Sequence, residues 1–166
     1  MASGALLSRF GAAANQPPVT AYATPDVRNG LMVLDFDAAV DESAVFVDTL
    51  PPTYGGGGLS IRIRWMASTA TSGTTRWQAA IERHQVGTDD SDADSFAAAQ
   101  SGGTAAVAPS GTEMVTTIAI TNGAAMDNLV VGERFRLKVT RDADGTSGTD
   151  DMAGDAELVH VDVLET

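Results

Sequence analysis

The groups in this sequence that could move a proton or hold an ion are two histidines and 22 acidic residues. His84 ends one apolar run, and His160 lies inside another, between Val159 and Val161. A serine hydrolase would need one of them beside an activated serine, and no GxSxG or comparable nucleophile setting occurs. Each histidine therefore reads as a packing residue of a strand. Carboxylates are abundant enough for a glycosidase pair, but aromatics that could stack on sugar rings make up only 5% of the chain.

Two acidic clusters invite a cation. DDSDAD carries Asp89, Asp90, Asp92 and Asp94, the hard oxygen ligands that calcium prefers. It lacks the glycine at the sixth position and the glutamate at the twelfth that a calcium-binding EF-hand loop uses, so it reads as a solvated loop. Asp142, Asp144, Asp150, Asp151 and Asp155 surround Arg141's end of the chain and read as a salt-bridge network. No catalytic residue, metal or cofactor is expected.

Recognition is the stronger theme. LSIRIRWMAS, Leu59 to Ser68, alternates Leu59, Ile61, Ile63 and Trp65 with Ser60, Arg62 and Arg64. RFRLKVTRD alternates Phe135, Leu137 and Val139 with Arg134, Arg136 and Lys138. Those five cations are half of the ten basic residues in a chain whose net charge is −12. Two explanations stand side by side: cross-strand pairing with neighbours such as Glu82 and Asp48, or an interface with the acidic patch of another copy. On the second, Arg62, Arg64, Arg134 and Arg136 are partner-binding residues.

The elements that must position these groups are strands. Seven runs have period-2 or continuous apolar character: residues 31–36, 43–50, 59–68, 76–84, 114–121, 134–142 and 156–165. AYAT and the region of Ala105 to Val107 are further candidates. Pro51 and Pro52 end the second run, since proline cannot donate to a ladder. The long connection after His84 has one helix-like stretch, SFAAAQ, with Ser95 as its N-cap. Nothing supplies the crossover helices that parallel sheets need. The expected fold is all-β, an antiparallel two-sheet jelly-roll sandwich over residues 29–166. Its presumed core is Phe46, Ile61, Ile63, Trp65, Trp77, Ile81, Ile118, Ile120, Phe135, Leu137, Val139, Val159, Val161 and Val163.

Residues 1–28 read as an extended N-terminal arm broken by Pro17, Pro18 and Pro25. Its apolar Leu6, Leu7, Phe10 and Tyr22 either pack on their own domain or lie against another subunit, and are candidate partner contacts. The opening MASGALLSRFGAAA is a short apolar stretch interrupted by Arg9, a poor secretory signal. No run of about 18 apolar residues suits a membrane span. The negative charge disfavours nucleic acid, and with no cysteine there are no disulfides or thiolate sites.

TLPPTYGGGGLSIRIRWMAS, TTRWQAAIERHQVG and GERFRLKVTRDADGTSGTDDMAGDAELVHVDVLE together resemble a small jelly-roll domain of tailed-bacteriophage structural proteins. The resemblance runs over residues 31–166. It implies a non-enzymatic virion component: a head decoration (cement) protein on the capsid surface, partnered by the major capsid protein and by its own copies in a trimer. The alternative it implies is a carbohydrate- or receptor-binding module of a tail fibre or baseplate.

Overall fold

The computed structural model describes residues 4–166. Ten strands follow one another: β1 Leu6–Gly11, β2 Thr24–Arg28, β3 Leu31–Phe36, β4 Glu42–Thr49, β5 Leu59–Ala67, β6 Thr74–His84, β7 Gln100–Ala105, β8 Met114–Ile120, β9 Arg134–Arg141 and β10 Ala156–Glu165. Sheet I runs β2-β3-β10-β5-β8, with β1 also paired to β10; sheet II runs β4-β9-β6-β7. Every strand pairing is antiparallel. From β3 onward each connection crosses from one sheet to the other except β6 to β7, which is jelly-roll winding.

Alternation explains the two layers. In β5 the inward Leu59, Ile61, Ile63 and Trp65 are buried, and in β9 so are Phe135, Leu137 and Val139. The rings interlock between the sheets. Trp77 meets Phe36 edge-on at 4.9 Å and lies 6.1 Å from Trp65, while Phe10 stacks on Phe46 at 5.2 Å. Of the presumed core, Val159 alone is only half buried. The register of β10 against β5 shifts between Leu158 and His160. This bulge lets Leu158 and Val161 both face inward and turns His160 out.

The N-terminal segment packs on its own domain, the first of the two readings given for it. Residues 6–11 form β1, whose Phe10 pairs with Val161 of β10, and Ser8 donates to Asp48 of β4 at 2.7 Å. Residue 28 ends β2, one side of a hairpin whose Asn29-Gly30 turn has the two positive φ angles of a type I′ turn, 50° and 81°. Between these strands the chain lines the edge of β4, with Gln16 N donating to Val45 O and Ala23 N to Ser43 O. The physical reason is burial. A segment with Phe10, Ala12 and Ala23 gains more by closing the sandwich than by standing in water.

Glycine serves close approach at the other open side. A Cβ on Gly102 of β7 would lie 3.1 Å from the Thr117 carbonyl of β8, so the two edge strands pack backbone to backbone. Gly58 is tighter, with a Cβ reaching 2.6 Å from the Ile120 carbonyl. The expected helical turn at SFAAAQ is absent; both Ser95 N and Ser95 Oγ donate to Glu82 Oε1 instead, at 2.6 and 3.1 Å.

Candidate functional site

On the outer face of sheet II the basic row is largely consumed within the chain. Strand register sets Arg136 opposite Glu82 and Arg134 opposite His84. Arg136 Nη1 donates to the fully buried Glu82 at 2.7 Å and to Asp94 at 2.7 Å. The loop after β6 folds back over this face and lays Phe96 against Arg136 and Lys138, with the cations 4.9 and 4.4 Å from its ring centre. Arg136 is thus paired internally, the first of the two explanations, because the acidic loop that follows its own strand pair reaches it. Phe96 escaped the sequence reading because it lies in an aperiodic stretch.

Beside this row lies an open cleft of about 550 Å³ lined by Thr49, His84, Asp89, Ser91, Glu133 and Arg134 among others. Ser91 Oγ is 3.5 Å from His84 Nδ1, and His84 Nε2 is 3.6 Å from Glu82. Arg134 donates to the same Ser91 hydroxyl at 3.1 Å. Ser91 is thus held by a guanidinium and stands farther from its histidine than a tight nucleophile–base pair. Arg134 itself remains exposed.

The outer face of sheet I differs. Its cross-strand rows run Gly11, His160, Arg64, Val115 and Arg9, Asp162, Arg62, Thr117 across β1, β10, β5 and β8. Arg9 pairs with Asp162 at 2.6 Å and holds its carboxyl below the usual range. Arg64 pairs with Glu113 at 2.9 Å. Arg62 is exposed and makes no ion pair among the described residues. Burial, then Arg64 and Arg9, push the His160 imidazole down from its ordinary value despite the nearby Asp162.

Of the proposed contacts at the chain start, Phe10 is 6% exposed and belongs to the core, and Leu7 packs against that core. Leu6 at 50% and Tyr22 at 45% stay accessible.

The acidic clusters separate on inspection. Asp150 is buried against Arg141, Asp151 accepts from Thr74 N, and Asp155 accepts from Ala38 N, so that part is a structural network. Asp41, Asp142 and Asp144 bring one oxygen each within 4.8 Å of one another and could hold a cation. Burial opposes ionisation of Asp142, but donors from Ser147 and Thr146 outweigh it and hold its pKa at about 2.

Asp35 behaves oppositely. Burial, with Asp155, Glu157, Asp26 and Glu42 nearby, raises it to about 6, and its Oδ1 has no hydrogen-bond partner among the described residues. Between pH 4 and 6 the folded chain keeps a proton on Asp35 that the unfolded chain releases, so stability falls as pH rises through that window. Asp142 acts below it, its contribution disappearing as pH drops from about 4 toward 2. Asp35→Asn should raise stability at pH 7 by about 1 kcal/mol, solvent screening part of the shift, and should give no gain near pH 3.5. Urea unfolding at both pH values measures it; equal effects at the two would contradict the assignment.

No family model matches the chain, and no curated protein matches it. Among solved structures it is similar to a glycoside hydrolase family 43 arabinoxylan arabinofuranohydrolase from Bacillus subtilis, in complex with cellotetraose, at 10% identity and a TM-score of 0.45. That match covers 100% of this chain and 28% of the other, so the chain spans less than a third of that protein's length. Such a likeness bears on neither activity nor partner. Trp65 and Trp77, the rings a sugar-binding module could have offered, are both fully buried.

Proposed function

We propose that this protein is a non-enzymatic structural component of a tailed-phage virion. It is a decoration protein that sits on the outside of the head, touches the major capsid protein and stabilises contacts between capsomers, with copies of itself as a trimer. The single observation that carries this reading is the basic face of sheet I, uncovered among the described residues, on a body of net charge −12. Arg62 and Arg64 stand there on a rigid two-layer support, whereas the equivalent row on sheet II is roofed by its own loop. The likeness of three long stretches to phage jelly-roll proteins supports it. An N-terminal segment that covers the edge of β4 suits a protein exposed on a particle surface.

The test is co-sedimentation with heads assembled without decoration. Saturable binding at micromolar concentration or tighter is expected, and it should weaken at least tenfold between about 50 and 500 mM salt because exposed charges are screened. Heads that pellet without the protein at every salt concentration would refute the reading.

A further inference from the structure

The outer face of sheet I contains a notch that the described residues leave unfilled. It has a volume of about 50 Å³ and is lined by Arg62, Arg64, Val115, His160 and Asp162. The charged and titratable groups in and around it are His160 and Asp162 from β10, Arg62 and Arg64 from β5, Arg9 from β1, which pairs with Asp162, and Glu113 just before β8, which pairs with Arg64. Both carboxylates are already engaged, Asp162 by Arg9 and Glu113 by Arg64 Nη1. What remains is donor capacity. Arg62 has no acidic partner among the described residues, and Arg64 Nε is buried without a hydrogen-bond partner. A buried unsatisfied donor is costly, and two guanidinium groups converging on so small a space suit one carboxylate.

We propose that this notch receives an aspartate from the β6–β7 loop of a second copy of the chain. The contact deepens, and rests on, the self-association in the proposed function. The occupant follows from charge complementarity with the exposed, acid-rich loop between β6 and β7. In that loop Asp89 is tied to Arg83 and Gln85 N, and Asp94 to Arg136. Asp90 and Asp92 are exposed at the tip, with Asp90 engaged only by the backbone of Asp92. The loop covers the outer face of sheet II and the notch opens on the outer face of sheet I, so the loop does not reach the notch of its own chain. Loop against notch joins unlike surfaces, a heterologous contact that closes into a ring when the rotation allows. His160 at the rim, its pKa held below the ordinary histidine value, gains a charge only under acidic conditions, so association tightens as pH falls from about 6.5 to 5. The acidic body also repels itself less at lower pH, and His160→Gln separates the two effects.

Sedimentation velocity on the full chain tests this. Wild type should associate at micromolar concentration in about 50 mM salt. Arg62→Asp, and separately Asp90→Arg with Asp92→Arg, should each weaken association at least tenfold, and combining the two sets should restore it. His160→Gln should flatten the tightening toward about pH 5. A wild type that stays monomeric at 100-fold that concentration, indifference to Arg62→Asp, or failure of the combined swap to restore association would overturn the contact. Undecorated heads keep the two ideas apart. A wild type that binds heads but does not self-associate counts against this contact alone, whereas a wild type that self-associates without binding heads counts against the capsid role.

Discussion

Asp150→Ala should lower the free energy of unfolding by about 3–5 kcal/mol, the usual consequence of stranding one partner of a buried ion pair. Arg141 and Asp150 are both essentially without solvent contact, and their pairing is bidentate, at 3.1 and 2.9 Å. The remaining guanidinium protons reach Gly154 O at 2.8 Å, Met152 O at 3.1 Å and Phe36 O at 3.3 Å. One cation thus pins the β9–β10 loop to the end of β3. Removing the carboxylate leaves that charge buried and unpaired. In a domain of this size the loss corresponds to a fall in melting temperature of roughly 10 °C. Replacing both residues with apolar ones of similar volume should recover much of the loss, since the desolvation penalty then disappears as well. Guanidinium unfolding of the single and double variants measures it; a single variant within 1 kcal/mol of wild type would show that water reaches Arg141.

Trp65→Ala should be comparably severe, about 3–5 kcal/mol, because it empties the centre of the sandwich. Trp65 is fully buried, packs near Trp77 from the opposite sheet, and donates its indole N–H to Thr116 Oγ1 at 2.9 Å. That hydroxyl donates in turn to Thr104 Oγ1 at 2.9 Å, so the chain of bonds ties β5 and β8 to β7 at the edge where Gly102 approaches. Two milder variants separate packing from polarity. Trp65→Phe keeps most of the volume, and Thr116→Val leaves the indole N–H unpaired at a loss of about 1–3 kcal/mol. Should Trp65→Ala lose no more than Thr116→Val, packing at this site would be a minor contributor.

Much of this fold is legible in the chain because period-2 alternation is a local property. Ile61, Ile63 and Trp65 must share a face whatever lies beyond them, and Arg62 and Arg64 must share the other. All seven apolar runs became strands, and the two basic rows did point outward. Val159 was misplaced because the bulge at Leu158–His160 shifts the phase within one strand, and nothing in ELVHVDV marks it. LLSRFG was read as an arm because its sheet partner, β10, lies about 150 residues away in sequence. SFAAAQ has local helical preference, but Ser95 gains more from the buried charge of Glu82 than from capping one turn.

The candidate site divides in the same way. Side-chain type and alternation were enough to single out five cations on two strand faces of an acidic protein. Which row would be spent internally was decided by the loop after His84, which brings Asp94 and Phe96 back onto Arg136 and Lys138 while nothing roofs Arg62 among the described residues. Alternation is imposed by the backbone one residue at a time. Whether a charge meets its counter-charge depends on where a distant segment comes to rest, and only the assembled sheets determine that.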